Sequence, residues 1–128
     1  LSAPHFLAAV GNSILPFVPC IDGEPVGIAW LYNIAMVPPK MTMVSGFVAA
    51  YVLPQFRSKH ILHQCASDFL NIVRGYGLEH LWAEVRTDNM SPQYLLRACG
   101  FDYVATLPAW KRYDGIWQDM ALFHRCLC

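Results

Sequence analysis

The chain has 128 residues, enough for a single domain whose core needs neither disulfides nor metals. It is 55% hydrophobic, 14% charged and formally neutral, which excludes a disordered chain and gives no broad basic field to attract nucleic acid. So large an apolar share leaves surface for a ligand, a second copy of the chain or a protein partner to cover.

Five cysteines, Cys20, Cys65, Cys99, Cys126 and Cys128, are an odd number without CxxC spacing. Neither a disulfide framework nor a zinc site is expected, and a reducing, cytoplasmic compartment is the default. No apolar run approaches the roughly 20 residues that span a membrane. Leu1 to Val10 lacks the basic start of a signal peptide, and the absence of an initial Met leaves room for residues ahead of Leu1.

In chain order, Leu1 to Gly11 reads as a short helix. Ile14 to Ile21 and Val26 to Val37 read as strands of a hairpin around Asp22-Gly23-Glu24-Pro25, a strong turn signal. Pro38-Pro39-Lys40 breaks the run. Met43 to Leu53 is apolar at nearly every position, the pattern of a strand covered on both faces, and Pro54 ends it for want of an N–H.

Ile61, Leu62, Cys65, Ala66, Phe69, Leu70, Ile72 and Val73 then form a one-face helical stripe. The helix starts near Ser58 as cap and stops at Gly75-Tyr76-Gly77. Leu78 to Arg86 is a strand with Leu81, Ala83 and Val85 on one face and Trp82, Glu84 and Arg86 on the other. Ser91 to Cys99 is a helix with Ser91 as cap and Pro92 at its first position. Phe101 to Tyr113 and Ile116 to Leu127 form a hairpin turning at Asp114-Gly115.

The order is mixed α/β, with a central βαβ unit. Ligands of such units bind beyond the carboxyl ends of the strands, here the end that carries Arg57, Lys59 and Asn89. Arg57, Lys59 and His60 sit where a helix start is already positive, so either an anion is held there by the free N–H groups or the side chains simply face water. His60 and His63 share a helix face but lack a third ligand, so no metal is expected. His5, His80 and His124 have no partner by spacing and read as structural. Trp110, Tyr113 and Trp117 read as cross-strand pairs of the last hairpin.

Three segments carry a family resemblance: Val52-Leu53-Pro54-Gln55-Phe56-Arg57, then Leu81-Trp82-Ala83-Glu84-Val85-Arg86 with Asn89, and Gly100-Phe101. Together they resemble the GCN5-related N-acetyltransferase superfamily, most of all its ribosomal-protein N-terminal acetyltransferases. The resemblance covers Ile14 to Leu127. It implies one domain over residues 1–128 lacking its first strand or helix, with a mixed, mostly antiparallel sheet, a central parallel βαβ unit and flanking helices.

It also implies acetyl-CoA as co-substrate, with backbone groups of Ala50, Tyr51 and Val52 along its acetyl and pantetheine portion. Its pyrophosphate falls at Ser58, Lys59, His60, Ile61, Leu62 and His63, beside Arg57, and Asn89 falls on a position that hydrogen-bonds the cofactor and anchors its pantetheine arm. Glu84 falls on the carboxylate that helps deprotonate a primary amine acceptor, whether a small molecule, a protein N-terminus or a lysine.

Two positions depart from the pattern. His60 and Leu62 stand where the loop has small residues that let backbone approach phosphate. Leu96 stands where many members carry a tyrosine that protonates the thiolate, and Tyr94 lies about 200° around the helix from it. The alternative is therefore a catalytically inactive structural or interaction protein of this fold, phage- or assembly-associated, with a CoA-binding regulator between the two.

Overall fold

The computed structural model describes residues 15–37 and 43–127, so the helix expected over Leu1 to Gly11 lies outside it. The strands are β1 (Leu15–Phe17), β2 (Cys20–Ile21), β3 (Glu24–Pro25), β4 (Gly27–Val37), β5 (Met43–Val52), β6 (His80–Arg86), β7 (Asp102–Tyr113) and β8 (Ile116–Cys126). Helix α1 spans Lys59–Gly75 and α2 spans Met90–Ala98, with a single 3-10 turn at Pro54–Phe56. A six-stranded sheet runs β1-β4-β5-β6-β8-β7, parallel only between β5 and β6. This is the mixed, mostly antiparallel sheet with a parallel βαβ unit that the resemblance implies.

Local chemistry sets the joints. Asp22 (φ 50°) and Gly23 (φ 78°) turn β2 into β3, and Asp114 (φ 51°) and Gly115 (φ 79°) turn β7 into β8, both with the paired positive φ of a two-residue hairpin. The strand expected over Ile14 to Ile21 is divided. β1 pairs with β4, Val18 and Pro19 leave the ladder, and β2 pairs with β3 alone. Pro19, which has no N–H to give, instead accepts the Val26 N–H through its carbonyl at 2.9 Å.

Ser58 caps α1, its Oγ accepting the Ile61 N–H at 3.2 Å. The cap position of α2 is Asn89 rather than Ser91, because a tight turn closes early: the Asn89 N–H donates to the Arg86 carbonyl at 3.0 Å.

Both described helices pack on one face of the sheet. Leu70 and Val73 of α1, with Leu96 and Cys99 of α2 beside them, meet Leu81 and Ala83 of β6 and Ala121 and Phe123 of β8. The opposite face carries Tyr32, Phe47, Trp82, Glu84 and His124, with Phe47 facing Trp82 and Trp82 facing His124 in register. The expected two-sided cover of β5 thus holds only for its first half. Val44, Ser45 and Gly46 are buried, whereas Tyr51 is 50% exposed.

Two further expectations are corrected. Cys126 is disulfide-bonded, while Cys20, Cys65 and Cys99 are free thiols. His80 and His124 are partners, with His80 Nδ1 2.8 Å from His124 Nε2 and the Trp82 ring tilted against the His124 ring at 4.5 Å between centroids. They lie 44 residues apart in sequence, so only the β6–β8 ladder brings them together.

Truncating Phe123, which is fully buried among both helices and the sheet, should cost about 3–5 kcal/mol of unfolding free energy in a Phe123→Ala variant, read by urea denaturation. Burial, and then the neighbouring His80, hold the His124 pKa below its ordinary value, outweighing the opposing pull of Asp102. Its stabilising share is therefore complete above the ordinary value of 6.5 and lost as pH falls through the lower folded value. Urea midpoints followed downward from neutral pH should fall less steeply in His124→Gln than in the parent.

Candidate active site

β5 and β6 pair in register only at Ser45–His80, Gly46–Leu81 and Phe47–Trp82. Beyond Phe47, β5 stays with β4 as far as Val52, and β6 stays with β8 as far as Arg86. The two central strands therefore part, leaving one edge of β5 unpaired toward β6.

The backbone groups that face this gap can be assigned. The Leu53 N–H donates to the Val26 carbonyl across to the β4 side at 2.9 Å. Alternation along an extended strand then turns the Tyr51 and Ala49 groups toward β4, and the Ala50 and Val52 groups toward the gap. The Val52 carbonyl fits this, since it accepts from Arg57 Nε at 2.7 Å. Of the three backbones expected along the cofactor, those of Ala50 and Val52 face the gap. Tyr51 is turned away, and its ring lies 5.0 Å from the Arg57 guanidinium.

Behind the gap, between the sheet and both helices, lies a mostly apolar cleft of about 500 Å³. Ala50, Val52, Leu62 and Glu84 of the expected set line it. Cys65, Leu96 and Cys99 line it too, residues that sequence reasoning gave to the core or to no site. Burial pushes the Cys65 and Cys99 thiols up, for Cys99 against the opposing charge of Arg125, so both are held protonated and poorly nucleophilic.

The expected anion loop is partly assembled. The Ile61 amide goes to the Ser58 side chain and the Leu62 amide to the Ser58 carbonyl, while the amides of Lys59 and His60 donate to no described residue. Lys59 and His60 are exposed, and Leu62 turns into the cleft. Arg57 is folded back onto the end of β5 rather than standing over the helix start. His63 faces a separate shallow hollow with Arg74 and Arg125.

Glu84 points away from the core yet its side chain is only 8% exposed. Its partner is neither Arg86 nor Arg97. Arg86 pairs with Asp88 at 2.8 Å, and Arg97 lies over the Phe123 ring. Instead Lys111 of β7 brings Nζ to 2.7 Å from Glu84 Oε2, an ion pair whose angles fall outside those of a directed hydrogen bond. Burial alone would lower the Lys111 pKa, but the close contact with the Glu84 carboxylate outweighs it and holds the ammonium above its ordinary range. Tyr32 beside them is pushed up, first by burial and against the pull of Lys111.

Asn89 is exposed at the start of α2, and its side chain caps nothing. Leu96 packs against the core while Tyr94 is 77% exposed, as their separation around the helix requires. Among the described residues no group of three or more His, Cys, Asp or Glu could hold a metal, and no helix is long and apolar enough to cross a membrane.

Solved structures share this architecture. RimJ of Mycobacterium smegmatis, in complex with CoA-disulfide, aligns with a TM-score of 0.75 at 24% identity over 95% of this chain and 58% of its own. YncA of Salmonella typhimurium, with its cofactor acetyl-CoA, gives 0.71 at 19% identity over 98% of this chain and 69% of its own. A ribosomal-protein-alanine N-acetyltransferase from Brucella melitensis gives 0.70 at 20% identity over 96% and 75%. At these identities the likeness speaks for the fold, and the chain is shorter than each of the three.

No curated protein matches the chain. The sequence signature of the acetyltransferase (GNAT) family, however, matches residues 5–101, most of the chain and both strands that border the gap. The chain belongs to the acetyltransferase (GNAT) family.

Proposed function

We propose that the chain is an N-acetyltransferase, a single domain that passes the acetyl group of acetyl-CoA directly to a primary amine. The observation that carries this reading is the parting of β5 and β6 with an apolar cleft behind it and Glu84 at its edge. A pantetheine arm suits the Ala50 backbone and the Val52 N–H, which face the gap while the Val52 carbonyl is held by Arg57. The pyrophosphate suits the start of α1, where the amides of Lys59 and His60 are open and the helix dipole is positive. Asn89 and the remaining residues of that turn, Ser58, Ile61 and His63, complete the proposed cofactor contacts.

The chemistry follows from what an amine needs. It attacks a thioester only when neutral, so a base must take its proton, and Glu84 is the buried carboxylate at the gap. The oxyanion that forms needs fixed donors, and the Val52 N–H faces the gap while that of Leu53 is already taken by Val26. With leucine at position 96, the thiolate takes its proton from elsewhere, the attacking nitrogen being the nearest source. The acceptor classes are a small amine, a lysine or a protein N-terminus. The last is what the Brucella neighbour is named for.

A second reading is favoured by one specific observation. His60 and Leu62 occupy positions where backbone must come close to phosphate, and Arg57 is committed to the Val52 carbonyl. That combination suits a structural or interaction protein that keeps the fold without turnover.

Calorimetric titration with acetyl-CoA separates the two. Micromolar binding, weakened about tenfold or more by Lys59→Glu, is the expected result, because that substitution sets a carboxylate at an anion-binding helix start. Glu84→Gln should keep the binding and lose roughly 10²–10⁴ in acetylation rate with an amine panel. A folded protein that fails to bind millimolar acetyl-CoA would overturn the enzyme reading and leave the structural one.

A further inference from the structure

Lys111 reaches Glu84 only because the β7–β8 hairpin is distorted. Past a first one-residue shift at Val104, the ladder runs in register from Ala105–Leu122 to Leu107–Met120 and resumes at Lys111–Gln118, so Pro108, Ala109 and Trp110 stand opposite Asp119 alone. Ala109 takes a positive φ of 45°, and its N–H is held by Asp119 Oδ1 at 2.8 Å. A regular ladder would set Lys111 opposite Ile116 beside the hairpin turn. The bulge moves it two residues inward, on the face that carries Glu84.

Glu84 therefore has two neighbours of opposite kind. On one side it lines the apolar cleft, and on the other it holds a primary amine at 2.7 Å. Lys111 does not line the cleft, so it comes to the carboxylate from the face where an acceptor amine would have to stand.

We propose that Lys111 is itself an acceptor, so that the protein acetylates its own β7 strand. This rests on the acetyl-transfer reading above. Glu84 takes one proton from the Lys111 ammonium, directly or through a water. The neutral nitrogen attacks the thioester carbonyl of acetyl-CoA, the C–N bond forms, and the C–S bond breaks with its electron pair on sulfur. The thiolate then takes the second proton from nitrogen and leaves as CoA thiol. The product is a neutral amide, which ends the ion pair and leaves Glu84 without a fixed cation.

The chain supplies its own control. Lys59 is exposed and has no carboxylate partner among the described residues, so unassisted acetylation would fall on it at least as readily as on Lys111, whose ammonium Glu84 stabilises. The full chain is incubated with acetyl-CoA, and acetylation of each lysine is followed by tandem mass spectrometry at several protein concentrations. Expected is Lys111 modification about a hundredfold faster than Lys59, at a rate independent of protein concentration, as for a reaction within one chain.

Glu84→Gln should abolish the preference. Asp119→Ala, which frees the bulge without touching Glu84, should reduce it about tenfold or more in a protein whose circular dichroism is unchanged. Equal rates at the two lysines, or an unmodified Lys111 in a protein that acetylates free amines, would overturn the proposal and leave the acetyltransferase reading standing. Failure to bind acetyl-CoA at all, measured by calorimetry on the same sample, would overturn both.

Discussion

The structure depends on a conflict between neighbours. β5 is committed to an antiparallel ladder with β4 through Val52, and β6 to one with β8 through Arg86, yet the two are also asked to pair with each other in parallel. Parallel pairing is slightly the weaker kind per residue, and it yields after three residue pairs. Backbone groups left at the edge must still be satisfied. One carbonyl is taken by Arg57, while the Ala50 and Val52 N–H groups face the opening. On the proposed reading, an extended, amide-bearing cofactor arm would complete that edge as a neighbouring strand would.

The same parting explains why Glu84 is placed as it is. Trp82, two residues earlier, still stands opposite Phe47 in the closed part of the sheet. Glu84 is the first residue on that face beyond the last pair, so its carboxylate borders the opening. Burying it is costly unless a cation accompanies it, since desolvation of a carboxylate amounts to several kcal/mol. Lys111 meets that need, and the hairpin accepts a bulge and a positive φ at Ala109 to deliver it. A strained residue beside a buried carboxylate marks a place where local regularity has yielded to a site.

Much of this was legible in the sequence where the cause is local. The Asp22-Gly23 and Asp114-Gly115 turns, the Ser58 cap and the apolar stripe of α1 all follow from chemistry within a few residues. The opposite faces of Leu81 and Glu84 were legible for the same reason. What escaped depends on register. The His80–His124 pair needs the β6–β8 alignment, and the Lys111–Glu84 pair needs a two-residue register shift that Pro108, a bulge signal, could mark in place but not in size. The Cys126 disulfide ran against a cysteine pattern that held no such signal. The cap of α2 moved to Asn89 because a turn upstream closed first, an effect of tertiary context on a local preference.

The departure at His60 and Leu62 weighs less in the structure than in the sequence. A side chain in place of glycine matters if it stands between the backbone and the phosphate. Leu62 instead turns into the cleft, where its apolar atoms replace exposed backbone, and His60 lies exposed at the surface. The amides of Lys59 and His60, which would meet an anion, are open among the described residues. On the acetyl-transfer reading, what distinguishes this chain is therefore less its loop than the partner of its proposed base, Glu84. A carboxylate held by a lysine from the face opposite the cleft must exchange that cation for an incoming ammonium, or lose it by modification.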